Sequence, residues 1–308
     1  MGSRVWAALV TVYVVWGSTY LGIMLAIRTL PPFLMSAVRF AIAGAVLYVW
    51  SIRRGDRDGD RPGRRQWLAA TVVGGGLLVA GNGGIAWAEQ RVDTGLAALI
   101  VACVPIWFAF FDWLIHRRRL SGRVVAGLVI GLIGIGFLVG PSGEVDPIGA
   151  AAILGGSLCW VGGSVYALRA PLPSRPLVGA SMQMLAAGAM LTMLGIGTGE
   201  VGQLQTPSLE SVVALVYLIA IGSLVAFSSY IWLLGNAPPT LISTYAYVNP
   251  VVAVALGAVF LGESVTAQML LAGGAIVVAV ALIVTARTTA PRARRPERLP
   301  EPVLEQAA

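Results

Sequence analysis

Apolar residues in this chain do not alternate with polar ones; they run on for about 20 residues at a time and recur along nearly the whole sequence. A run of that length crosses a hydrocarbon core of ~30 Å as an α-helix. Ten such spans are read, at 5–27, 33–52, 67–88, 94–115, 123–140, 147–169, 176–197, 210–234, 240–261 and 265–286. The runs are too long and too poorly alternating for barrel strands, so their backbone groups must be satisfied within helices. The ten spans leave no room for a soluble domain. The expected fold is therefore all-α and integral to the membrane. The first run is no cleaved signal peptide: it is too long, lacks a small-x-small site and is followed at once by another span.

Composition agrees, with 57 % hydrophobic and 11 % charged residues, too few charges to cover a soluble chain of 308 residues. A net charge of +7 could point to nucleic acid, but its distribution argues against such a partner. Every cation is an arginine, and the arginines cluster between spans. With the N-terminus placed in the cytoplasm, only Arg28 and Arg91 fall outside and Arg39 falls within a span; all other arginines fall inside. The positive-inside rule then sets both termini in the cytoplasm of a multi-pass protein of the bacterial cytoplasmic membrane. The loop RRGDRDGDRPGRR reads as a solvated linker, and the Pro-, Arg- and Glu-rich tail 288–308 as disordered, with arginines for anionic membrane lipid.

Chemistry is sparse. Cys103 and Cys159 lie inside apolar runs, where a disulfide framework is not expected. The single histidine, His116, adjoins Arg117–Arg119 at a span end, and no cluster has metal-ligand spacing. The triple glycine at 74–76 lies inside a span and is no nucleotide loop, so no ATP-driven cycle and no cofactor are expected. A membrane-embedded transferase lacks any nucleophile–base pair. The chain is not expected to be an enzyme, and it has no catalytic residue to nominate.

The chain also repeats itself at a shift of about 145 residues. LAALIVACVP, ending at Pro105, aligns without a gap to LISTYAYVNP, ending at Pro250, and Trp87 then meets Trp232. Each half holds five spans, an odd number, so the second half enters the membrane from the opposite side. The units are 1–142, a first five-helix repeat; 143–287, a second and inverted repeat; and the tail 288–308. Inverted halves give a simple route to alternating access and so to a transporter of a small-molecule substrate. A channel or passive facilitator of the same fold is the alternative. Oligomeric state is not legible.

Polar groups inside spans invite a partner or a cavity. Pro105 and Pro250 fall near mid-span in equivalent helices, where they read either as interruptions beside a midplane site or as packing kinks. Tyr245 and Asn249, at i and i+4, share a face beside the second proline; Asn249 serves either substrate or the backbone that Pro250 frees. Trp16 with Tyr20, and Trp160, are central rather than interfacial and suit either a cavity wall or helix packing. Asn82 and Gln183 are further cavity candidates. Gly127–Gly131 and Gly136–Gly140 spacings are read as seams within the bundle. Arg39, about six residues inside the second span, either snorkels outward or faces the cavity, paired with Glu89 in one state and with an anionic substrate group in another. Proton uptake by Glu89 would then offer coupling.

WGSTY at 16–20, VRF at 38–40, YAYVNP at 245–250, the Gly262-Glu263 pair, and the GNG and AE pair at 81–83 and 88–89 together resemble the drug/metabolite transporter superfamily. Each half looks like one EamA domain, of the bacterial drug/metabolite exporter type. The resemblance, over residues 6–286, implies ten helices around a central cavity and secondary efflux of amino acids, related metabolites or drugs. One departure is that Arg118 holds the first-half register of Glu263, which assigns Glu263 to an outer helix junction instead of a shared role.

Overall fold

The computed structural model describes residues 2–54, 62–117, 120–139, 145–237, 239–242 and 244–288. Helix follows helix, with no strand among the described residues. In order they are α1 (Ser3–Ile27), α2 (Pro32–Arg53) and α3 (Arg64–Gly74), which continues through a π-helical stretch, Gly75–Gly83, into α4 (Gly84–Ala88). Next come α5 (Thr94–Val101), α6 (Val104–His116), α7 (Gly122–Val139), α8 (Pro147–Ala167) and α9 (Pro176–Gly197). A second π stretch, Leu218–Val225, joins α10 (Leu209–Tyr217) to α11 (Ala226–Asn236). The short α12 (Pro239–Ile242) precedes α13 (Tyr245–Leu256), a third π stretch, Gly257–Leu261, and α14 (Ala267–Thr288). Among the described residues, seven helical stretches are long and apolar enough to cross a membrane, and three shorter apolar helices occupy Gly122–Leu138, Val248–Leu261 and Ala267–Ile283.

The second helix shows why these sequences fold as they do. Pro32 opens α2, where its missing N–H costs nothing and its φ suits a helix. One face, with Met35, Arg39, Phe40, Ala43 and Leu47, is buried in the bundle. The other, with Val38, Ile42, Val46 and Val49 at helical spacing, is 44–50 % exposed yet equally apolar. In water that second face would be a large sticky patch; against lipid it is ordinary surface. The main pairings are α2 with α9, α7 with α14, α8 with the first π stretch, and α1 with α10, α11 and α13.

Carboxylates and hydroxyls occupy the helix starts. Glu200 accepts from the N–H groups of Phe33 and Leu34 at the start of α2 (3.1 and 2.9 Å), and Glu263 from those of Thr94 and Gly95 at the start of α5 (2.7 and 3.0 Å). Asp146 accepts from Gly149 N–H in α8, and Ser208 from Ser211 N–H in α10. Each satisfies orphan donors and, for the acids, meets the positive end of the helix dipole. At this same end of the bundle Arg28 pairs with Glu210 at 2.9 Å, and the Arg91 guanidinium lies 4.2 Å from the Trp87 ring centre.

Glycines set the closest approaches. A Cβ on Gly127 or Gly131 would run into α14 or Ile106, so these two lie on an inner seam, whereas Gly136 faces open space and belongs to none. Gly140, the central loop residues 55–61, the tail from 289 on and the His116 side chain lie outside the described residues. Both cysteines are free, and no metal-binding cluster occurs among the described residues.

Two features depart from the sequence expectation. The span 94–115 is not continuous: the helix stops at Val101 and restarts at Val104, so Pro105 sits in the first turn of α6, where proline is tolerated, and does not kink an unbroken helix. Pro250, by contrast, lies inside α13 as expected. The π stretches were not foreseen either. In Gly75–Gly83 a Cβ on Gly76 would lie 2.7 Å from the Cys159 carbonyl oxygen, so close contact with α8 accompanies the widened turn.

Candidate functional site

The helices enclose a cavity of about 660 Å³. Its walls are assembled where helices are interrupted. The first π stretch supplies Gly81 and Asn82, the break between α5 and α6 supplies Ala102 and Pro105, and the second π stretch supplies Gly222 and Ser223. A π turn leaves backbone groups without their usual partners, and Asn82 Nδ2 donates to the Leu77 carbonyl at 3.5 Å.

Arg39 reaches the cavity from the buried face of α2 and is 5 % exposed. Its Nε donates to Ser223 Oγ at 2.9 Å, and its guanidinium carbon lies 5.0 Å from the Phe40 ring centre. The side chain is thus turned into the bundle and does not snorkel to a surface. It is the sole charged residue on the described wall of the cavity. A guanidinium with one hydroxyl partner and apolar neighbours keeps several N–H donors for an incoming acceptor, and a carboxylate or phosphate matches its fork.

Aromatic rings form another part of the wall. Trp16 packs on Tyr230 with ring centres 5.0 Å apart and meets Tyr245 edge-on at 5.2 Å, while Tyr230 meets Tyr245 at 6.1 Å. Tyr20 and Trp160 also line the space, as does Gln183 from α9. A surface of this kind offers large apolar contact with occasional hydroxyls.

Asn249 lies on the cavity, yet its amide nitrogen is oriented to donate to the carbonyls of Tyr13 and Tyr245, both at 3.2 Å. It therefore ties α13 to α1 across the site. Asn249→Leu would leave the α1 carbonyl without that donor, with an expected cost of about 1–3 kcal/mol, read as a lower thermal midpoint of the purified protein. An unchanged midpoint with lost transport would instead put the amide on the substrate.

Glu89 differs from the expectation for it. It does not line the cavity, and no ion pair joins it to Arg39. The carboxyl is 1 % exposed, enclosed behind the wall at the end of α4, and neither oxygen has a hydrogen-bond partner. In this conformation Arg39 is instead turned to Ser223, to which its Nε donates. Ser223 and Tyr230 are among the wall residues that sequence reasoning passed over, as are Thr19 and Ser157. Ser223 is one hydroxyl in an apolar run and Tyr230 follows Ser228 and Ser229. Neither Ser223 nor Tyr230 has a repeat partner of like chemistry, and only the π turn and ring packing single them out.

Known proteins resemble this chain along its length. "Uncharacterized inner membrane transporter YedA" of Escherichia coli strain K12 is 41 % identical over 281 residues, 90 % of this chain and 89 % of that protein. "Uncharacterized transporter YvbV" of Bacillus subtilis is 24 % identical, covering 91 % of each chain. "Probable amino-acid metabolite efflux pump" of Salmonella typhimurium is 24 % identical over 87 % of this chain and 90 % of its own. A solved crystal structure shares the fold, with a TM-score of 0.61 at 22 % identity over 94 % of this chain and 99 % of that one. The sequence pattern of the EamA-like transporter family matches twice, over residues 4–140 and 147–285, and the chain is a multi-pass membrane transporter that belongs to this family.

Proposed function

We propose that the chain is a secondary exporter of small metabolites with an anionic group, amino acids and related compounds or drugs among them, working by alternating access of two inverted five-helix repeats. The observation that carries this reading is the cavity itself, lined by one buried guanidinium and by a cluster of aromatic rings. Such a site can hold an anion on the guanidinium and apolar bulk against the rings. Export is the activity named for the Salmonella relative.

Helix pairing supports ten spans in inverted halves. Under the shift of about 145 residues the contact of the first π stretch with α8 maps onto that of the second with α1. The contact of α1 with α13 maps likewise onto that of α8 with α5 and α6. The seam residues follow suit: a Cβ on Gly76 meets Gly163, and one on Gly222 meets Thr19. Equivalent helices exchanging conformations would open the cavity to the two faces in turn.

Two measurements test this. In vesicles with the protein reconstituted, unlabelled amino acids inside should accelerate uptake of labelled amino acids from outside; a channel would equilibrate the label without such acceleration. For orientation, in a variant lacking Cys103 and Cys159, an impermeant thiol reagent should modify Thr206→Cys from outside intact cells and spare Gly63→Cys. Both positions are exposed, so the reverse pattern would invert the topology.

A further inference from the structure

Glu89 is left without work by the cavity reading. It follows the last turn of α4, at the negative end of the helix dipole, where an anion is disfavoured. Neither carboxyl oxygen receives a hydrogen bond, and the group is 1 % exposed. The charged and titratable groups near it are Tyr20 from α1, Arg39 from α2 and Glu263 from the segment before α14, with Asp93, in the same loop as Glu89, next to Glu263. From α8 the packed stretch Gly149, Ala150 and Ile153 brings none. Arg39 is the cation of the set, and it is turned to Ser223. Glu263 already receives the N–H groups of Thr94 and Gly95. A charged Glu89 would therefore stand buried without a donor and near a second acid, which costs several kcal/mol.

We propose that Glu89 is a proton-binding site: it carries a proton while Arg39 faces the cavity, and releases it to the cavity water when Arg39 swings from Ser223 onto the carboxylate. A second consequence follows from charge balance. In the empty carrier Arg39 and the Glu89 carboxylate neutralise each other. In the loaded carrier an anionic substrate group neutralises Arg39 and the proton neutralises Glu89. Both forms that reorient are then free of net charge at the site, and proton and anion bind together and travel together. Export therefore runs down the substrate's own outward gradient and carries protons out with it, instead of being driven by the inward proton gradient. By linkage each raises the affinity for the other, by the 5- to 150-fold common for coupled sites.

This rests on the transport reading, but its first test needs no substrate. Infrared spectroscopy of the full chain in lipid vesicles, titrated with pH, should show the C=O band of a protonated carboxylic acid that Glu89→Gln removes. In Arg39→Gln no cation is left to replace the proton, so the midpoint of that band should move up by about 1–2 pH units. Glu263→Gln should leave the band in place. An absent band in the unsubstituted protein, or one that survives Glu89→Gln, would overturn the proton site. The second test uses the labelled amino acids that show accelerated exchange. A pH gradient should drive them toward the alkaline side in the unsubstituted protein, and Glu89→Gln should lose that drive relative to its own exchange rate without a gradient. Drive toward the acidic side would refute joint passage. Failure of exchange in the unsubstituted protein would instead count against the transport reading and leave the infrared result to decide the proton site.

Discussion

Arg39→Gln is expected to lower the exchange rate of the purified, reconstituted protein by roughly 30-fold or more, the largest loss of any single change in the cavity. Removing one member of a buried charge pair, here the pair that Arg39 would form with the substrate's anionic group, costs about 2–5 kcal/mol, and every 1.4 kcal/mol is tenfold. The expectation follows from where the guanidinium stands. It is buried, it uses Nε on Ser223, and no other charge lines the described wall. Arg39→Lys should fall between the two, since lysine keeps the charge but loses the planar fork and cannot hold Ser223 while presenting two parallel donors. Ser223→Ala should act mildly, because it frees the guanidinium without discharging it. Rates are to be normalised to folded protein recovered by size-exclusion chromatography. Exchange by Arg39→Gln at the unsubstituted rate would make Arg39 a packing residue and remove the anionic group from the substrate.

How much of this was legible beforehand depends on the physics of each signal. Span position is written in runs of apolar side chains, because lipid demands them whatever the neighbours are. The helices accordingly start and stop close to where the runs do. Arg39 was legible for the converse reason: a guanidinium within a span must have a destination. Its destination was not. Whether it meets Glu89 or Ser223 depends on a π turn in Leu218–Val225, and LIAIGSLV contains nothing that distinguishes a π turn from an α one. The break before α6 was hidden similarly, since Pro105 marks an interruption without saying whether the helix bends or restarts. Asn249 and Tyr245 were placed on one face by spacing alone, but the use of the amide on a carbonyl of α1 required the third dimension. Glu200 was missed entirely. It lies in the connection between α9 and α10 with no local pattern, and its role on the first turn of α2 arises from contact across 166 residues of sequence.

Gly156→Val is expected to destabilise the fold strongly, while Gly155→Val, one residue away on the same helix, should be harmless. A Cβ at Gly156 would stand 2.6 Å from the Ala80 carbonyl oxygen and 3.4 Å from its carbon. Both are backbone atoms of the first π stretch, which cannot rotate aside as a side chain would. Separating α8 from that stretch would also disturb Gly81, Asn82, Ser157 and Trp160, which line the cavity along this seam. Overpacking of this kind costs about 1–3 kcal/mol or more. The Gly155 position meets no atom within 4 Å and is exposed, so a valine there points to lipid. The helix-propensity change is shared by the two variants and slightly favours valine over glycine, so it cancels in the comparison. Thermal unfolding of the two purified proteins in the same detergent reads the difference directly, with a lower midpoint for Gly156→Val and an unchanged or higher one for Gly155→Val. Equal midpoints would show that α8 does not approach the π stretch this closely, and with that the cavity wall drawn through Gly81 and Trp160 would have to be redrawn.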